Sequence, residues 1–76
     1  MKYYLLQSIT TKNGRAVCRR FKSRNDAINY MMDKLSLPFS WFGPQIEEER
    51  PIFGDKHSIE YICDDYSRFI VTRIVQ

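Results

Sequence analysis

Apolar residues fall at helical spacing in one stretch of the chain, Ser23–Leu35. Ala27, Ile28, Met31, Met32 and Leu35 form a single stripe, the mark of an amphipathic helix. Ser23 is a good N-cap, and Asp26 three positions on completes a capping-box pattern with Asp in the Glu position. Asp26 also suits the positive end of the helix dipole, and Lys34 the negative end. Pro38 disfavours a helical residue before it, so the helix should stop by Ser36 or Leu37. The pattern therefore predicts one helix over about residues 24–35.

Strand-like sequence lies on both sides of this helix. Lys2–Thr10 is rich in aromatic and branched residues, and Asn13-Gly14 between two apolar runs signals a hairpin. A two-residue Asn13-Gly14 turn would pair Leu6 with Phe21 and Ile9 with Cys18. A three-residue loop with Gly14 in the left-handed position would pair Leu5 with Phe21 and Ile9 with Val17. The second register gathers Tyr3, Leu5, Ile9, Val17 and Phe21 on one face and is the one preferred. It leaves Tyr4, Leu6, Arg20 and Lys22 on the other face, because a one-residue slip turns every side chain over.

After the helix, Ser58–Cys63 alternates Ile59, Tyr61 and Cys63 against Ser58, Glu60 and Ile62. Asp64-Asp65-Tyr66-Ser67 reads as a turn. Arg68–Val75 is the strongest strand, β-branched and apolar on both faces, which fits an interior strand or a covered edge. The reading is a single small α+β domain of order β-β-α-β-β, an antiparallel sheet with the helix packed on one face. Its parts are a hairpin over 2–22, the helix over 24–35, an aromatic and acidic loop over 36–56, and a hairpin over 57–76. A loop of that length is uncommon in a compact domain. Either it contains a short strand near Gln45–Glu49 or it is functional.

Composition narrows the class. The 76 residues are 43% hydrophobic, 14% aromatic and 28% charged, which is folded-protein composition and excludes general disorder. A chain this short is only marginally stable unless its rings fill the core well. The net charge of +3 is mild, but it is unevenly placed. Lys12, Arg15, Arg19, Arg20, Lys22 and Arg24 make the first half basic. Glu47, Glu48, Glu49, Asp55, Glu60, Asp64 and Asp65 make the second half acidic. The start of the chain does not read as a secretory signal, and no stretch is long and apolar enough to span a membrane. Cys18 and Cys63 are then expected as reduced thiols in a cytoplasmic protein.

Catalytic chemistry finds no support in these residues. His57 is the single histidine, no local motif brings it to a cysteine, and the expectation is an exposed residue before a strand. Glu60, Asp64 and Asp65 lack the spacing of a cation-binding loop, and no glycine-rich phosphate cradle is present. The chain is therefore read as a non-enzyme that needs no metal and no cofactor.

Two surfaces remain as candidates. Phe39, Trp41 and Phe42 sit in a Pro- and Gly-bounded stretch beside Glu47, Glu48 and Glu49, and aromatic anchors with a polar rim are typical of protein interfaces. On this basis the function expected is a small protein-binding module of adaptor or inhibitor type. Products of mobile elements are often of this size, and its protein partner carries no signature in these residues. The alternative is nucleic-acid binding by Tyr4, Arg15, Arg20, Lys22 and Arg24, cations with an aromatic among them on one sheet face. Asn13-Gly14-Arg15, Phe21, Ser23 and Ala27 resemble the sheet-plus-helix arm-binding domains of tyrosine recombinases, over the first hairpin and the start of the helix. The third strand those domains carry before the helix is absent here. Glu47–Glu49 would repel a nucleic-acid backbone if it lay beside the basic residues. A homodimer is a third expectation, because small domains often need a partner copy.

Overall fold

A computed structural model of the chain describes residues 2–10, 16–35 and 45–75. Within them lie five strands and one helix: β1 (Lys2–Thr10), β2 (Cys18–Phe21), α1 (Arg24–Leu35), β3 (Ile46–Ile52), β4 (Asp55–Cys63) and β5 (Arg68–Val75). The strands form one antiparallel sheet in the order β2-β1-β5-β4-β3. The α+β class, the element order and the single helix on one face agree with the sequence reading. The additional strand is β3, which falls where the sequence left a strand and a loop as alternatives.

The helix starts where its cap predicts. The Asp26 amide donates to Ser23 Oγ at 3.1 Å, and the Ala27 amide donates to the Ser23 carbonyl at 3.3 Å. These bonds satisfy donors that have no partner inside the first turn. From there α1 packs on β1, β2 and β5. Ala27, Met31 and Leu35, four residues apart, are its buried line, with Ile28 and Met32 half-buried beside it. The last residue of α1 is Leu35. Pro38, expected to stop it, lies outside the described residues.

The core beneath the helix joins Leu6 of β1, Tyr61 and Cys63 of β4, and Phe69 and Val71 of β5. Leu6, Phe69 and Val71 have no exposed surface. Phe69 stacks on Tyr61 with ring centroids 5.1 Å apart. β5 is the central strand, with Phe69 and Val71 buried on its helix face and Ile70, Thr72 and Ile74 half-buried on the other.

The first hairpin takes neither register expected from its turn. Tyr4 lies opposite Phe21, Leu5 opposite Arg20 and Leu6 opposite Arg19. Leu6 and Tyr4 therefore face the helix, and Leu5 and Tyr3 face away. Two interactions fix this one-residue difference. Across the hairpin, the Ser8 amide donates to the Val17 carbonyl at 3.0 Å while the Val17 amide donates to Ser8 Oγ at 2.6 Å. On the other side, β5 places Leu6 opposite Val71 and Ser8 opposite Phe69. Residues 11–15, including Asn13, Gly14 and Arg15, lie outside the described residues.

Strand β3 and the start of β4 replace much of the expected 36–56 loop. β3 is an edge strand that exposes its central residues on both faces, so Glu47, Glu48, Glu49 and Pro51 are tolerated there. The β3–β4 hairpin runs past the last β4–β5 pair, Ser58 with Thr72, to a turn at Phe53-Gly54. Gly54 has a φ of +83°, which a side chain would strain.

The two thiols differ sharply in setting. Cys18 is exposed on β2 and Cys63 is buried. Burial, helped by the nearby Asp65 and Asp64 charges, pushes the Cys63 thiol up to about 11. A thiol reagent near pH 8 is therefore expected to modify Cys18 fast and Cys63 only on unfolding, read as one and two equivalents respectively. The raised value also has a sign for stability. Below the ordinary thiol value of 9.0 both states are protonated, and stability should fall as pH climbs from there towards 11.

Candidate binding surface

β2 is one outer strand of the sheet, with β1 its one neighbour among the described residues. Its side chains alternate, so Arg19 points to the helix side with Phe21, and Arg20 to the opposite side. On the helix side Arg19 meets Tyr30 of α1, its guanidinium 4.8 Å from that ring centroid and 5.9 Å from that of Phe21. The Phe21 and Tyr30 rings are tilted at 5.2 Å, and Lys34, one helical turn after Tyr30, lies 5.5 Å from its ring. A hydrogen bond from Arg19, then the charges of Lys34 and Arg19, lower the Tyr30 phenol below its ordinary value against the effect of desolvation. On the opposite side Arg20 sits 4.9 Å from the Tyr3 ring. Such cation–ring contacts hold extended side chains in place while leaving their charge towards solvent.

Arg24 lies further in, 5.7 Å from the Tyr4 ring, with its Nε buried and without a hydrogen-bond partner among the described residues. Lys22 is exposed just after β2. Arg20, Lys22 and Arg24 thus follow one another along β2 and into the start of α1, with Arg20 against Tyr3 on one face of the sheet and Arg24 against Tyr4 on the helix side. The structure separates Tyr4 from Arg20, however. Tyr4 faces the helix, and Tyr3 with Leu5 takes its place on the open face, a correction that follows from the register. Arg19, Tyr30 and Lys34 belong to the cluster and were missed. The signal was present in the spacing: Arg19 shares a face with Phe21, and Tyr30 and Lys34 are four apart on the helix.

The acidic residues lie at the other edge. Glu48 on β3 is opposite Ile62, and Glu49 is opposite the core residue Tyr61. Arg50 holds Glu48 at 2.9 Å, with both side chains about half exposed. Four inter-strand spacings separate β3 from β2, roughly 19 Å at the usual strand distance. The anticipated repulsion between Glu47–Glu49 and a ligand on the basic residues is therefore weak across a Debye length of about 8–10 Å. Phe39, Trp41 and Phe42 lie outside the described residues.

The remaining titratable candidates have structural partners. Arg68 donates to Glu60 at 2.7 Å, and Glu60 is nearly buried. The Gln45 amide donates to Asp64 Oδ1 at 3.1 Å, and the Ser67 amide to Asp65 Oδ1 at 3.0 Å. Both carboxylates thus organise chain turns. His57 is exposed near the β3–β4 hairpin tip, where its amide donates to Asp55 Oδ1 at 3.0 Å. Asp55 also accepts from Ser58 Oγ at 2.7 Å, and the Ser58 bond is the main reason its carboxyl titrates below its ordinary value. Phe53 beside it is fully exposed, next to a shallow depression lined by Pro51, Ile52, Asp55 and His57. Among the described residues no cluster of His, Cys, Asp and Glu is placed to hold a metal ion. Among them also, no helix is long and apolar enough to cross a membrane.

No protein-family model matches the chain, and no curated protein or solved structure matches it at a significant level.

Proposed function

We propose that this chain is a non-enzymatic protein-binding module that receives an acidic segment of its partner on the β2 edge. One observation carries the reading: Arg19, Arg20 and Lys34 lie about a strand that has one neighbour among the described residues, while the Glu47–Glu49 run occupies the far edge. An extended acidic segment there would gain main-chain hydrogen bonds from the edge and charge pairing on both of its faces. Cationic side chains fixed on rings lose less rotamer freedom on binding than free ones, which favours carboxylate capture. A reducing cytoplasmic setting goes with this reading, since exposed Cys18 and buried Cys63 are both free thiols.

Nucleic-acid binding is the second reading, supported by the same separation of charge. It is weaker in one respect. Tyr3, Phe21 and Tyr30 each already carry a cation over a ring face, so base stacking would have to displace it.

Fluorescence titration with a labelled oligoglutamate peptide and a single-stranded oligonucleotide of matched charge separates the two. The peptide is expected to bind in low salt, and Arg19→Glu with Arg20→Glu to weaken it about tenfold or more. Tight oligonucleotide binding with no peptide binding would transfer the site to nucleic acid. No binding of either would remove the reading.

A further inference from the structure

We infer that the acidic segment received by β2 is the β3 edge of a second copy of this chain, so that copies associate head to tail. The inference rests on the proposed function of the β2 edge and identifies its partner.

Both outer strands have one neighbour only among the described residues, and each therefore presents unpaired main-chain groups. Charge on an edge strand normally guards against edge-to-edge pairing, and here the guard is one-sided. Two β2 edges would set arginine against arginine, and two β3 edges glutamate against glutamate. A β2 edge against a β3 edge sets opposite charges together.

The match extends to both faces of the sheet. Arg19, opposite Leu6, lies on the helix face, and Arg20, opposite Leu5, on the open face. Glu49, opposite Tyr61, lies on the helix face, and Glu48, opposite Ile62, on the open face. If the second copy continues the sheet with its helix on the same side, Arg19 and Glu49 share one face and Arg20 and Glu48 the other. If it is turned over, Arg19 shares a face with Glu48 and Arg20 with Glu49. Either arrangement puts one arginine beside one glutamate on each face. Pro51 has no amide proton, which confines the paired part of β3 to the residues before it. The Glu48–Arg50 pair is exposed and so is easily exchanged for a contact with Arg20. Because the two surfaces differ, the contact does not close on itself and builds rows of copies, limited by concentration and salt.

Sedimentation velocity at low and high salt over a wide concentration range tests this. The wild-type chain is expected to form species of increasing size in low salt and to return to monomer in high salt. Arg19→Glu/Arg20→Glu makes both edges acidic, and Glu48→Lys/Glu49→Lys makes both basic. Each is expected to stay monomeric alone, and an equimolar mixture to assemble again. Circular dichroism checks that each variant is folded. If a reversal does not fold, Arg20→Gln and Glu48→Gln replace it, each expected to raise the half-assembly concentration about tenfold. A wild-type chain that stays monomeric at every concentration overturns the inference. A dimer that stops at two copies and survives both reversals also does so. If the monomeric chain still binds the oligoglutamate peptide, the reading of β2 stands and only its partner is wrong; if it binds no peptide, both fail.

Discussion

Phe69→Ala is expected to lower the unfolding free energy by about 3–5 kcal/mol, read as an earlier urea midpoint with an unchanged slope. Phe69 has no exposed surface and lies on the central strand, between Ser8 of β1 and Tyr61 of β4. Its ring stacks on Tyr61 and lies in the core that α1 covers. Truncation would remove the buried area, the ring contact and the packing around the resulting hole together. A chain of this size has a total stability of the same order, so the variant should be largely unfolded at body temperature. A loss under about 1 kcal/mol would place Phe69 outside the core.

The second large effect separates two adjacent residues. Leu6→Lys is expected to prevent folding, because Leu6 is fully buried opposite Val71 and the ammonium would have no partner there. Leu5→Lys should cost far less, about 1–2 kcal/mol, because Leu5 faces away from the helix and is half-buried beside Arg20 and Thr72. The pair therefore reads the register of the first hairpin in a single comparison of thermal melts. The register expected from the Asn13-Gly14 turn gives the reverse order of sensitivity.

That register shows where sequence reasoning reaches its limit. In Tyr3-Tyr4-Leu5-Leu6 both faces are apolar, so alternation cannot choose between them. The choice comes from β5, which lies at the far end of the chain from β1 and sets Leu6 against Val71. Local signals suffice for the helix, where Ser23, Asp26 and the line Ala27, Met31 and Leu35 supply start, cap and buried face. They also suffice for β4, where Ile59, Tyr61 and Cys63 alternate towards the core. β3 is harder, because Ile46–Ile52 shows no alternation: an edge strand whose central residues are exposed on both faces does not need one. The basic cluster was half visible. Arg20, Lys22 and Arg24 stand out as charges, whereas Arg19 and Lys34 join them only through Tyr30, whose position depends on register and helix phase.

The central claim is that β2 is a receiving edge for acidic chain segments. A titration of isotope-labelled protein with the oligoglutamate peptide, followed by amide nuclear magnetic resonance shifts, tests it most directly. The Glu48→Gln/Glu49→Gln background keeps β3 from competing for the site. Shifts centred on Cys18–Phe21, Lys22, Tyr30 and Lys34, absent when Arg19 and Arg20 are changed to Glu, are the predicted result. Shifts centred on the β3–β4 hairpin tip around Phe53 and His57, or no shifts on β2 at saturation, would contradict it.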